Sequence, residues 1–386
     1  MRTQVLIIGG GLVGMACAIA MHQQGLQVML VDSKPAPTLP TNDWDVRIYA
    51  ITPGNAEWLD SLGVWQRIDK ARMNAIDAMH VWSDETGAPL QFDAFEENLD
   101  CLGWIVESHQ IEHALWQQIQ SSGIAVCTDA KGQSLRFEQQ AATLILADGR
   151  EFTADLVVGA DGANSWVRHQ ADISVITKPY EQIGVVASFT CEKPHGNVAR
   201  QWFDKQGVLA WLPMAGNRIS IVWSTHPLHA KTMMEMDIRQ LAETVAEAGS
   251  YLLGKFETMT PTTAFSLNLH WVTHLVQQSL VLVGDAAHQV HPMAGQGVNL
   301  GFRDVIALTE TLKSRHSYQS LGDLMLLRKY ERTRKADIAS MQVVTYGLHH
   351  LFDGTSDWVR KISAWGMAMM QNQAILKTNL IRQAIE

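Results

Sequence analysis

Gly9, Gly11 and Gly14 stand in G-x-G-x-x-G spacing immediately after the apolar run Val5-Leu6-Ile7-Ile8. In that pattern the first glycine permits a tight turn, the second lets a pyrophosphate approach the backbone, and the third lets a helix pack closely on a strand. The phosphates then meet the positive end of the helix. An acidic residue about 20 positions on binds a ribose hydroxyl, and Asp32, ending Val28-Met29-Leu30-Val31, is placed for it. Two further stretches could hold a ligand. Gly159-Ala160-Asp161-Gly162 ends a β run and leads to Arg168, so amides and a carboxylate meet there. Gly284-Asp285 ends another, and the small-residue turn Gly295-Gln296-Gly297 before a helix can aim several amides at one anion. Arg47 stands among apolar neighbours, which fits either a charge with a specific partner or a surface arginine. His288 and His291 have no acidic or cysteine partner at ligand spacing, so a metal site is not indicated.

These residues need strands that end in turns and helices that begin at them. A helix is expected over 12–24, a strand at Asp45 to Ile51, and a helix after Pro53-Gly54-Asn55. Short alternating runs fill 76–95. A helix opens at Ser108 and stops at Gly123, followed by strands at 124–128, 133–138, 142–147 and 152–159. Between 180 and 270 the alternation predicts an antiparallel sheet (184–190, 199–203, 208–213, 218–223) and then a helix over 237–248. Trp202, Trp211, Pro213 and Trp223 in that sheet read equally as ordinary core and as an apolar substrate wall. The stretch 280–313 returns to the strand-turn-helix pattern, and 324–386 reads as helical.

The chain has 386 residues, enough for two or three domains, and 47% of them are apolar. With 39 acidic against 30 basic residues and a net charge of −9 it offers no electrostatic footprint for nucleic acid. Cys17, Cys101, Cys127 and Cys191 form no C-x-x-C, so neither a zinc site nor a dithiol centre is indicated, and a reducing cytoplasm fits. A secretory leader over residues 5–21 is a competing reading, because that stretch is uncharged and Ala18-Ile19-Ala20 resembles a cleavage site. Three spaced glycines at its centre and Asp32 after a second apolar run argue against it. A buried βαβ unit without ligand is the other competing reading of this stretch. Outside it no uncharged run approaches the roughly 20 residues that cross a bilayer.

Taken together, the three signatures resemble the FAD-dependent aromatic hydroxylases of the para-hydroxybenzoate hydroxylase fold. Val283-Gly284-Asp285-Ala286-Ala287-His288 through Gly301-Phe302-Arg303-Asp304 looks most like the ubiquinone-biosynthesis hydroxylases, and Asp45-Val46-Arg47-Ile48 points the same way. The resemblance covers residues 4 to about 340 and departs where Ser108 stands in place of a frequent asparagine. It implies an α/β fold: a Rossmann-like FAD-binding domain (1–75, 100–178, 272–345), an inserted antiparallel β-sheet substrate domain (76–99, 179–271) and a helical C-terminus (346–386). It further implies non-covalent FAD, with the pyrophosphate on Gly9, Gly11 and Gly14 and the ribose on Asp32. Arg47 and Gln110 would lie along the cofactor, Asp161 and Gly162 near both FAD and the nicotinamide donor, and Asp285 on the ribityl chain. Gly295, Gln296, Gly297, Val298, Asn299 and Leu300 would face the flavin pyrimidine edge, where a helix start stabilises an anion by about 0.3–2 kcal/mol. Pro292 would flank the reacting edge, with His291 as a proton handler.

The activity so implied is hydroxylation of the ring of a polyprenylated phenol or benzoquinol through a flavin C4a-hydroperoxide, with NAD(P)H and O2 as co-substrates. Two other readings stay open: a flavin reductase that inserts no oxygen, and a non-catalytic flavoprotein scaffold of a biosynthetic complex. An insoluble substrate requires a membrane surface or a lipid-carrying partner, so a cytoplasmic protein peripheral at the inner membrane is expected. The apolar and basic residues of Trp358 to Ile385 suit either an interfacial helix or a helix packed on the core.

Overall fold

In the computed structural model, residues 1–38, 42–83, 89–138, 140–204, 206–289 and 297–352 are described, with side chains as far as residue 338. The expected C-terminal segment beyond Phe352, and Trp358 to Ile385 with it, lies outside the described residues.

The first layer is a sheet whose parallel strands run in the order Leu280–Leu282, Glu151–Gly159, Arg2–Ile8, Val28–Val31 and Ala125–Cys127. A parallel sheet covered on both faces needs apolar runs rather than alternation. Val5, Leu6 and Ile7 are accordingly fully buried, as are Leu156, Val157 and Val158. The helices Leu12–Gln23 and Gly297–Lys313 pack together against it, and Phe302, Val305 and Leu308 join the same core. The strands Gly132–Phe137 and Ala142–Leu146 extend Glu151–Gly159 as an antiparallel flap.

The second layer is a nine-stranded sheet running from His288–Gln289 through Thr263–Val272, Val175–Cys191, Arg218–Thr225, Gly207–Met214 and Val198–Asp204 to Ala78–Ser83 and Leu90–Asp93. It is not wholly antiparallel, since Val198–Asp204 and Ala78–Ser83 pair in parallel. The long strand Val175–Cys191 and its partner Thr263–Val272 run straight through the expected domain limits at 178 and 271, so the layers are joined by a two-stranded ribbon. Two helices cover the outer face. Pro227–Glu235 has no counterpart in the sequence reading, whereas Ile238–Ala248 falls in the predicted range and opens on a capping box of Asp237 and Gln240. Its buried residues Leu241, Ala242, Val245 and Ala246 recur at helical spacing and bury one face.

Trp211, Pro213 and Trp223 are on this outer face, not on a substrate wall. Side chains alternate along a strand, and Ile219, Ile221 and Trp223 share a cluster with Trp211 and the covering helices. Pro213 pairs with Ile219 and Trp202 with Leu209, which places both on the same side. Trp202 stacks on Trp82 at 4.9 Å and meets Trp211 edge-on at 4.6 Å. The four residues form part of the sheet-helix core, which corrects the substrate reading of Trp202, Trp211, Pro213 and Trp223.

A third, three-stranded sheet of Ile48–Ile51, Gly103–Glu107 and Met73–Ile76 lies against the inner face of the second layer. The predicted strand from Asp45 begins only at Ile48.

Candidate active site

The turns after the parallel strands open into one cleft of about 1330 Å³. Ligands of open α/β sheets bind at these carboxyl ends. Gly9 has φ +113°, and a Cβ there would sit 2.3 Å from the Ala160 carbonyl oxygen. A Cβ on Gly14 would lie 1.9 Å from the Gly9 oxygen, so helix and turn touch through that glycine. At Gly11 nothing lies within 4 Å, and the space above it is the cleft. Asp32 already accepts from two amides, Gly10 N on Oδ2 and Lys34 N on Oδ1. Its carboxylate therefore braces the glycine turn while facing the cleft.

Of the residues expected to meet the cofactor, Gly9, Gly11, Asp32, Arg47, Asp161, Gly162, Asp285, Gly297, Val298 and Leu300 line this cleft. Arg47 is exposed at its rim, on a segment held by Asp45, which accepts from the Arg47 and His109 amides. Asp161 Oδ2 accepts from Val167 N, while its Oδ1 is buried without a hydrogen-bond partner. Asp285 sits exposed on the 3-10 turn Gly284–Ala286.

Gly14, Gln110 and Asn299 do not line the cleft. Gly14 packs beneath it and Gln110 is buried in the first turn of Ser108–Ser122. Asn299 Nδ2 donates to Ala50 O at 2.7 Å, and its Oδ1 accepts from Asn55 Nδ2 and Thr52 N at 3.0 and 3.2 Å. It docks the start of the helix Gly297–Lys313 onto the third sheet, so it positions the helix rather than reaching a ligand. Gly295, Gln296, His291 and Pro292 lie outside the described residues.

Sequence reasoning missed the buried charges behind the site. Asp304, fully buried, accepts from His288 Nε2 at 2.7 Å, Gly284 N at 2.8 Å and Arg334 Nε at 2.7 Å. Burial pushes its carboxyl up, but His288 and Arg334 outweigh that and hold it below the ordinary value. Arg168 is likewise buried and donates to Ala286 O at 3.0 Å and Ala163 O at 2.9 Å, tying the second signature to the third. Glu107 receives Arg72 through Nε and Nη2 at 2.7 and 2.8 Å and the Asp45 amide at 2.7 Å. A lone acid in an apolar run was the available signal for Asp304 and Glu107, but their partners are distant in sequence. Among the described residues no group of three His, Cys, Asp or Glu side chains is placed to hold a metal. Burial pushes the thiols of Cys17 and Cys191 up to about 12 and that of Cys101 to about 11.

Fold and cleft together define a protein that holds a dinucleotide across the ends of a parallel sheet and presents it to a second sheet. The chain belongs to the family described as FAD binding domain, which it matches over residues 2–345. The 3-demethoxyubiquinol 3-hydroxylase of Escherichia coli (strain K12) is 34% identical, with 99% of this chain and 98% of that protein covered. The mitochondrial ubiquinone biosynthesis monooxygenase COQ6 of Homo sapiens is 30% identical over 98% of this chain and 91% of its own length. Among solved structures, p-nitrophenol 4-monooxygenase PnpA from Pseudomonas putida DLL-E4 shares the fold with a TM-score of 0.78 at 14% identity, covering 100% of this chain and 98% of its own.

The cleft fits FAD. Open space above Gly11 admits a pyrophosphate, Asp285 and the unpartnered Asp161 Oδ1 offer acceptors to ribityl or ribose hydroxyls, and the helix from Gly297 starts at the cleft wall.

Proposed function

We propose that this protein is a FAD-dependent monooxygenase that hydroxylates the ring of a polyprenylated phenol or benzoquinol in ubiquinone biosynthesis. The observation that carries the reading is a single cleft joining the dinucleotide turn, Asp285 and the inner face of the second sheet, which contributes Val186, Ser220 and Val222 to its lining. Bound FAD supplies the electron transfer and the activation of O2, with NAD(P)H as electron donor. The chain's own part is to bind, orient and exclude water. Gly9 to Gly14 seat the pyrophosphate, Asp32 meets the adenosine ribose, and Asp285 and Asp161 hold the hydroxyl-bearing linker. Arg47 closes the rim. The first amides of Gly297–Lys313, with Val298 and Leu300, face the negative charge that reduction creates. Val186 and Val222 keep the ring in a dry pocket. Pro292 and His291 remain proposed for the reacting edge and the proton.

No described helix is long and apolar enough to cross a membrane. A cytoplasmic enzyme that meets its lipid substrate at the inner-membrane surface or from a carrier partner is the corresponding cellular reading. Incubation of the holoprotein with NAD(P)H, isotopically heavy O2 and a short-prenyl phenol or quinol tests the assignment, with one heavy oxygen in the recovered ring expected. Consumption of NAD(P)H and O2 without oxygenated product would favour a flavin reductase, and no turnover a scaffold.

A further inference from the structure

The wall that Val186, Ser220 and Val222 give the cleft is closed on two of its sides. Beyond Ser220, which pairs with Leu212, the side chains of Leu212 and Met214 pack with Ile76 and Ile105 of the third sheet. Toward the far strands of the sheet, Val208 and Phe203 pack with Val81 and Leu90. The open side is the strand Thr263–Val272. Apart from its short pairing with His288–Gln289 it has a neighbour on one side only among the described strands. Its residues Thr263, Ala264, Phe265 and Ser266 are all exposed, and all four line the cleft. A tail carried by a ring on this wall therefore has its way out across that edge.

Phe265 is the residue of this edge with apolar area to offer. It pairs with Gly184, as Thr263 pairs with Val186, so alternation puts the Phe265 ring on the same face as Val186 and Val222. A Cβ on Gly184 would lie 2.9 Å from the ring Cζ and 3.1 Å from Cε2, and Gly184 is buried, so the ring lies across that glycine. An aromatic across a strand glycine steadies the pair. That role does not require the rest of the ring to stay bare, yet Phe265 is 43% exposed. Of the large apolar side chains exposed among the described residues, it is the one that also lines the cleft. Bare apolar area inside a ligand cleft marks a surface for an apolar part of the ligand. Leu267, next on the same face and buried, continues that surface inward along the cleft.

We propose that Phe265, seated across Gly184, is a specificity-determining residue over which the apolar tail of the substrate leaves the cleft. This rests on the hydroxylase reading and adds to it a residue that reads the tail rather than the ring. A prenyl unit laid on the bare side of Phe265 takes apolar area of both out of water, a gain that a substrate without a tail does not make. The contact is the same before and during the chemical step, so it acts on KM rather than on kcat.

The test uses the FAD-loaded protein with two substrates, a short-prenyl quinol and the same quinol with a methyl group in place of the tail. Hydroxylated product is measured per bound flavin, and the readout is the ratio of kcat/KM for the tailed over the tailless substrate. The parent should favour the tailed quinol. In Phe265→Ala the ratio should fall at least fivefold, through a raised KM for the tailed quinol. Phe265→Gln, which keeps bulk over Gly184 and loses the apolar surface, should show the same fall, and it decides the matter if the alanine variant does not fold. Phe265→Leu, which keeps apolar area, should hold the ratio within twofold of the parent. A parent with no preference, a ratio unchanged in the alanine and glutamine variants, or equal losses on both substrates would overturn the proposal, while product from the parent leaves the hydroxylase reading standing. Absence of hydroxylated product from the parent on either substrate would instead remove both.

Discussion

Arg334 Nε donates to Asp304 Oδ1 at 2.7 Å, with both side chains closed off from solvent. Through the other carboxylate oxygen the same residue holds His288 and the Gly284 amide, so one buried acid links the helix Leu324–Phe352 to the turn that presents Asp285. Truncating one partner of a buried pair leaves the other charge uncompensated, at a cost of about 3–5 kcal/mol. Arg334→Met should lose that much in denaturant unfolding and release FAD more readily. A loss under about 1 kcal/mol, the range of exposed pairs, would show that the pair is not what holds the turn.

The same acid gives a pH signature. Burial alone raises the Asp304 carboxyl, but the charge and hydrogen bond of His288, with Arg334, bring the net shift below the ordinary value. A depressed carboxyl contributes stability that is present above the unfolded value of about 3.9 and lost as pH falls through the folded one. Melting temperatures of the parent and Asp304→Asn should therefore differ most near neutrality and converge as pH drops below about 4. A constant gap down to pH 3 would contradict this.

Two glycines of one motif should respond oppositely to alanine. Gly14→Ala drives a Cβ to within 1.9 Å of the Gly9 carbonyl oxygen and should destabilise the apoprotein by about 1–3 kcal/mol. Gly11→Ala meets no atom within 4 Å and has an ordinary extended backbone, so the apoprotein should melt almost unchanged while FAD affinity falls. Calorimetry of both apoproteins with flavin titration separates the two outcomes, and equal destabilisation would refute the contrast.

Asp285 is exposed in the cleft. Asp285→Ala should leave apoprotein stability alone and weaken FAD binding by about 1–3 kcal/mol, the scale of a lost charge-assisted hydrogen bond. Normal retention of the flavin would reject its proposed contact with the ribityl chain.

Trp211→Ala should behave as a core deletion. The ring is fully buried against Gly249 and Phe256 under the outer helices, so about 3–5 kcal/mol of stability is at stake. In the folded fraction the substrate KM should not move, and a selective KM increase would return Trp211 to the substrate wall.

Much of the first layer was legible because its signals are local. A glycine spacing, an acid at the end of the next apolar run and a strand ending in Gly284-Asp285 each report a backbone geometry within a few residues, and the strands and turns stand at those positions. The dinucleotide cleft follows from them, because parallel strands place their carboxyl ends side by side. Local sequence could not tell which side of the second sheet meets the cleft. Alternation says that Trp211 and Trp223 share a face with each other's neighbours, but both faces of this sheet are apolar, one under helices and one over the cleft. Only the packing of Pro227–Glu235 and Ile238–Ala248 assigned the tryptophans outward and turned Val186 and Val222 toward the cleft. Asp304 and Arg334, 30 positions apart, and Arg72 and Glu107, 35 apart, likewise needed the folded chain, since a charge discloses its burial only when its partner is brought to it.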